Sequence, residues 1–316
     1  MRKEVYQIKK CHLGVRLDLV LRKNLTQFSR NYIINLIKDG YVKINDIPIH
    51  TPSMKIKTLG NINIFIREEK ENREKMNIKL KIVFEDESLI IINKPAGVLT
   101  HASKGNNSLS LVDILIDSNI KLYEGKEKIR KGVVHRLDKD TSGLIVFAKT
   151  KQASNSLANQ FFLRQINKKY DVIVWNKPQP LRGMIDIPIS TYNKKKKASY
   201  EKNAKNALTE YNTFKSYYNF FSLVECKIFT GRTHQIRIHM LSINCPVIGD
   251  KLYAKGRNLS SKIPTDKAKF VKSFERQALH AKELQFVHPI RQTKMTFHAK
   301  KPKDFMKLES MLFQDQ

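Results

Sequence analysis

Between residues 67 and 77 the chain reads REEKENREKMN, charged almost throughout and without apolar periodicity. A segment of this kind has no face to bury, so it breaks the chain into separately folding parts. Residues 1–67 are expected to form a small module, residues 68–77 a linker, and residues 78–316 a larger domain. The length of 316 residues agrees with that division, because a single core usually stops growing near ~250 residues.

In the first part, Ser29 stands as a helix cap, Ile33, Leu36 and Ile37 follow at three-and-four spacing, and Gly40 supplies the stop. Residues 15–25 carry a similar stripe through Leu17, Val20 and Leu21. Residues 41–44 and 61–66 read as short strands, the second placing Ile62, Ile64 and Ile66 on one side. Two helices followed by a strand pair make a compact module whose helices expose Arg16, Arg22, Arg30 and Lys38.

The charge balance says what such a module meets. Against 29 acidic residues stand 59 Lys and Arg, a formal net charge of +30. That field repels basic partners and attracts polyanions, with nucleic acid foremost. The three cysteines, Cys11, Cys226 and Cys245, lack the spacing of a zinc or redox pair and read as free thiols. No run of about 18 apolar residues and no apolar leader is present, so a soluble, cytoplasmic protein is expected, with no membrane partner.

In the larger part, residues 82–84 and 89–92 are strand-like around the acidic turn EDES, and NKPAG and THASKG then place Lys94 and His101 in loops. Residues 144–148, 171–175 and 222–228 read as buried strands, and residues 153–162 and 233–242 as helices. Strands outnumber helices and connections are short, which predicts an α+β class: a mixed, largely antiparallel sheet with flanking helices. Residues 191–206 and 255–272 look like basic insertions able to add phosphate contacts.

Two segments carry the chemistry. GVVHRLDKDTSGLIVFAK, residues 132–149, puts Asp138 and Asp140 among basic side chains just before a strand. The two carboxylates could ligate a metal, work as an acid/base pair or cap a turn. Arg136, Lys139 and Thr141 are poor company for a hard cation, and Asp140 followed by Thr141 and Ser142 suits a turn cap. In GRTHQIRIHM, residues 231–240, His234 and His239 lie five apart, off the four-residue spacing that puts two ligands on one helix face. No metal is expected. Thr233 could cap the helix, and Arg232 and Arg237 cluster near its start, aimed at something anionic.

These segments resemble the RNA pseudouridine synthases of the large-subunit ribosomal type. HRLDKDTSG is similar to the loop holding their catalytic aspartate, KKYDVIVW at residues 168–175 to the strand carrying their active-site tyrosine, and GRTHQIR to a third motif. NKPAGVLTH, CPVIGDKLY and RQALHAKELQFVHP fall in the family's order, so the resemblance spans nearly the whole chain. It implies Asp138 as the catalytic aspartate, nucleophile or base, Tyr170 stacked on the target base, Arg237 paired with Asp138, Ile236 packed in the pocket, and Arg136 filling the gap left by a flipped nucleotide. His135, Arg232 and Lys94 join the expected substrate contacts.

The reaction so implied breaks the bond from ribose C1′ to N1 and rejoins the sugar to C5, a rearrangement needing no cofactor. The first module, VRLDLVLRKNLTQFSRNYIINLIKDGYVKIND, resembles the S4 RNA-binding domain, with Arg16, Arg22, Arg30 and Lys38 as candidate RNA contacts. IDIPIS and KFVKSFERQALHA look most like the D subtype, which acts on a stem-loop, helix 69, of large-subunit RNA. The implied partner is large-subunit ribosomal RNA, naked or within an assembling subunit, met by a monomer. Competing readings are an S4-type ribosome-associated binding protein without catalysis, a synthase for another ribosomal site or transfer RNA, and a glycoside hydrolase using Asp138 and Asp140.

Overall fold

The computed structural model describes residues 1–25, 28, 30–66, 78, 80–102, 109–125, 127–192, 195–256 and 259–314. The chain divides into two compact units, the first Met1–Met76 with Ala102–Leu109 and the second Asn77–His101 with Ser110–Gln316. The charged stretch from 67 to 77 and the cap position Ser29 lie outside the described residues.

In the first unit, helices Leu17–Asn24 and Arg30–Lys38 accompany a four-stranded antiparallel sheet. Strand Gly60–Ile66 pairs with Val42–Ile44 as the alternation of isoleucines predicts, and Ile62 and Ile64 bury against Leu17, Leu21, Ile33 and Ile37. Asn45 and Asp46 both take positive φ in the tight turn that follows, a conformation these two side chains tolerate. Strand Arg2–Ile8, which pairs with Gly60–Ile66, is not visible as a pattern. It is mostly exposed along its length, so its sequence carries too few apolar residues to mark a face.

The second unit is built on a nine-stranded sheet. From one edge its strands run Lys81–Glu85, Leu89–Lys94, Ser142–Ala148, Leu279–Val287, Asn167–Trp175, Phe221–Ile228, Leu208–Tyr217 and Arg182–Asp186, with Lys294–His298 paired to Leu279–Val287. Every pairing is antiparallel except Leu279–Val287 against Ser142–Ala148. Strand Ser142–Ala148 is buried along its whole length, which explains its continuous apolar sequence.

The parallel contact is close. A Cβ on Gly143, whose φ is +115°, would lie 2.2 Å from the carbonyl oxygen of Ala281, so only glycine fits there. Helix Lys151–Phe162, capped by the Thr150 hydroxyl, sends Ala153 and Leu157 into a core with Leu89, Ile91, Leu144, Val146, Leu284 and Phe286. Part of the basic stretch at 191–206 is not an irregular loop: Ile189–Tyr192 and Lys195–Ala198 form a hairpin. Residues 265–272 of the second basic stretch lie in helix Thr265–Ser273. Among the described residues, no helix is long and apolar enough to cross a membrane.

Candidate active site

Asp138 sits in a turn directly before strand Ser142–Ala148, closed by the Thr141 N–H donating to the Asp138 carbonyl at 3.1 Å. The NKPAGVLTH segment fixes both neighbours of this residue. The Thr100 hydroxyl donates to the Leu137 carbonyl at 3.0 Å and accepts from the Leu137 N–H at 3.2 Å. The Lys94 ammonium and the Gly97 N–H both donate to the Lys139 carbonyl. Asp138 is thereby held between two anchored residues.

Lys94 is a correction to the sequence reading. It is fully buried, and its ammonium donates to the carbonyls of Pro95, Val98 and Lys139 at 2.8–2.9 Å. Burial pulls its pKa down to about 7, against the opposing pull of Asp140 and Asp138. With its protons turned to backbone, Lys94 supports the turn from below and does not line the cleft.

Arg237 comes from the first turn of helix Gln235–Ser242. Its Nη1 donates to Asp138 Oδ2 at 3.1 Å, while Nε and Nη2 donate to Asp250 at 2.6 and 2.8 Å. A cation near a helix N-terminus is unfavourable by itself, and two carboxylates offset this. Burial opposes its charge, but Asp250 and then Asp138 raise its pKa, so the guanidinium stays charged. Asp250 has no exposed side-chain surface and also accepts the N–H groups of Leu252 and Tyr253. It follows Gly249, where a Cβ would lie 2.0 Å from the Arg276 carbonyl oxygen. CPVIGDKLY thus contributes a functional residue that its motif order alone did not single out.

The helix start is not capped by Thr233. His234 occupies the cap position in the left-handed region, with φ 59°, and makes no side-chain cap bond. Instead Gln235 turns back, its Oε1 accepting from the Arg232 N–H and the Thr230 hydroxyl. This bend points His234 at the cleft: Nδ1 is 2.9 Å from the Tyr253 hydroxyl and Nε2 is 3.9 Å from Asp138 Oδ2. Burial lowers the imidazole pKa, with Asp138 acting the other way. His239 faces elsewhere, toward Thr209 and the Ile187 carbonyl.

The cleft encloses about 550 Å³ of open space and is lined by Arg136, Leu137, Asp138, Tyr170, Ile236 and Leu279, with the Gly231–Arg237 turn on one side. Tyr170 is buried, and its phenol pKa is pushed upward by burial and by the charge of Asp138. The phenol therefore stays protonated, and Tyr170 lines the cleft. Arg136 is exposed at the rim, and Arg232 anchors its Nε on the Asn206 carbonyl at 3.0 Å. His135 lies behind the cleft, accepting the Val146 N–H on Nε2 at 3.0 Å and stacking on Phe161. In the first unit, Arg16 pairs with Asp18 at 3.0 Å and Arg30 approaches the same carboxylate at 3.7 Å, while Arg22 and Lys38 are exposed.

An aspartate, a fixed counter-cation, an aromatic wall and an apolar floor suit a flat, polar heterocycle with a sugar attached. The comparisons agree. The RNA pseudouridylate synthase family model matches residues 88–242. A ribosomal large subunit pseudouridine synthase D from Zymomonas mobilis is 39% identical over 95% of this chain and 94% of its own. An RNA pseudouridine synthase from Aquifex aeolicus is 36% identical over 94% and 93%. The solved human RNA pseudouridylate synthase domain containing 4 superposes with a TM-score of 0.58 at 28% identity, covering 73% of this chain and 92% of that one. With an acid, a guanidinium and a tyrosine meeting in its cleft and relatives matching it over most of its length, the chain belongs to the RNA pseudouridine synthase family and is an isomerase.

Proposed function

We propose that this enzyme isomerises uridines of large-subunit ribosomal RNA in the cytoplasm, with Asp138 as the catalytic aspartate, nucleophile or base, and without a cofactor. The observation that carries the reading is the Asp138–Arg237 pair at 3.1 Å inside the cleft. A carboxylate acts on the sugar or the ring in its charged form, and the Arg237 guanidinium is its hydrogen-bonded counter-cation. The target nucleotide swings out of its fold, stacks on Tyr170, and leaves a gap that Arg136 fills. Ile236 and Leu279 close the apolar side. Residues 1–67, as an S4-like module, carry further RNA contacts through Arg22 and Lys38 and, more weakly, through Arg16 and Arg30, which share Asp18. The ribosomal substrate is supported by relatives named ribosomal large subunit pseudouridine synthase D in Zymomonas mobilis and Haemophilus influenzae.

The test is pseudouridine mapping of ribosomal RNA from cells with and without the protein, complemented with wild type or Asp138→Ala. Sites in large-subunit RNA that vanish on deletion and return only with the wild type are expected. Unchanged large-subunit RNA, or full rescue by Asp138→Ala, overturns the proposal.

A further inference from the structure

Beside the cleft lies a second, larger groove with about 1090 Å³ of open space. It shares Arg136, Tyr170, Ile228, Gly231 and Arg232 with the first cleft. Its other lining includes Phe161, Phe162, Arg164, Lys168 and Phe229. Four of its lining side chains are cationic, namely Arg136, Arg164, Lys168 and Arg232, and no carboxylate is among them. Uncompensated like charges around one concavity weaken the fold unless an anion enters.

Two residues give the groove its chemistry. Lys168 and Tyr170 are two apart on strand Asn167–Trp175, so both face the same side of the sheet. The Lys168 ammonium lies 5.5 Å from the Phe161 ring centre, and among the described residues it has no carboxylate partner. Burial brings its pKa down to about 8. Phe162, at the end of helix Lys151–Phe162, is 81% exposed, an unusual state for so large an apolar ring. A bare aromatic face beside unpaired cations matches one ligand class, a nucleotide, whose base stacks and whose phosphate seeks the ammonium.

We propose that this groove is a second nucleotide subsite, in which Phe162 stacks on the base adjoining the target uridine and Lys168 holds the phosphate between them. The shared lining brings the two spaces side by side: with Tyr170 and Arg232 bordering both, a nucleotide linked to the occupant of one reaches the other. The subsite rests on the reading of the cleft as a uridine site. It makes the enzyme sensitive to the identity and freedom of the flanking base, which an isolated uridine pocket would not read.

The experiment measures affinity by fluorescence anisotropy, using a synthetic helix 69 stem-loop of large-subunit RNA and the same RNA with an abasic residue at each loop position in turn. Phe162→Ala is expected to weaken binding of the intact stem-loop about 10-fold, and to have no effect on one abasic variant lying next to the isomerised position. Lys168→Met is expected to flatten the dependence of log affinity on log salt by about 0.7. Because Phe162 is exposed, its replacement leaves the core intact. Wild-type affinity and salt slope in both variants overturn the subsite. Equal losses on every abasic RNA also overturn it. Isomerisation of the stem-loop and of full-length large-subunit RNA by the wild type is scored separately. Failure there counts against the uridine site itself, whereas the binding comparison still decides the subsite.

Discussion

Arg237 reaches Asp138 with one nitrogen and Asp250 with two, joining residues 99 positions apart at 3.1 Å and 13 apart at 2.6 Å. The tighter grip is on the buried carboxylate that does not line the cleft, so Asp250 sets the position of the guanidinium and Arg237 sets that of Asp138. Removing either partner leaves a buried charge unpaired, a loss of about 3–5 kcal/mol. Asp250→Ala and Arg237→Met are each expected to lower stability by that order and to reduce single-turnover isomerisation at least 10-fold. Denaturant unfolding together with kinetics at saturating RNA checks this. A wild-type rate in Asp250→Ala contradicts the relay.

Lys94 should behave as a structural residue despite its position in a motif beside the site. Lys94→Met keeps the volume but leaves three carbonyls without their donor, which predicts a loss of about 3 kcal/mol. Activity should fall at physiological temperature and recover partly on cooling, as the turn carrying Asp138 is restored. A variant with unchanged melting temperature and abolished activity would instead place the ammonium in the chemistry.

Stability should decline in mild acid through two histidines, His280 buried and His135 partly so. Burial lowers the pKa of His135 to about 3 and that of His280 to about 4. His135 accepts the Val146 N–H, and His280 lies between the Ser142 hydroxyl and the Ala299 carbonyl, so both are neutral in the fold. The unfolded chain protonates near pH 6.5. Their stabilisation is therefore complete above that pH and is lost as pH falls toward 4 and then 3, at about 1.4 kcal/mol per pH unit for each fully shifted group. Urea melts between pH 7 and 4 check the slope, and His135→Gln should shallow it.

The four candidate RNA contacts of the first unit should not be equivalent. Arg22→Gln and Lys38→Gln are each expected to reduce the salt slope of RNA binding by about 0.7 to 0.9. Arg16→Gln should do less, because its guanidinium already donates to Asp18 through Nε and Nη2. Anisotropy titrations across salt concentrations separate the two groups, and equal slopes for all four proteins would remove the first unit from the RNA interface.

What was legible in the sequence was whatever leaves a local period or a chemical cluster. The isoleucine alternation at 62, 64 and 66 and the apolar run at 144–148 located strands because burial imposes those patterns. The pairing of Asp138 with Arg237 was legible only through the family's motifs, since nothing local to either segment points to the other. Strand Arg2–Ile8 escaped because edge exposure erases its pattern, and Asp250 because a lone acid after glycine resembles any turn. His234 was dismissed along with the zinc reading, although its left-handed backbone turns it toward the acid. Lys94 was misplaced because a loop lysine in a motif looks like a ligand, and its three carbonyl partners exist only once the chain has folded.

The strand order has a consequence for synthesis. Leu279–Val287 lies between Ser142–Ala148 and Asn167–Trp175, so the middle of the sheet is completed by residues translated well over a hundred codons after the aspartate turn. Loop-closure entropy makes such late, non-local pairing slow. A ribosome-bound chain that ends before residue 279 lacks the strand against which Gly143 and Tyr170 are registered. The sheet beneath the aspartate turn is therefore complete only once residues 279–287 have been made and paired.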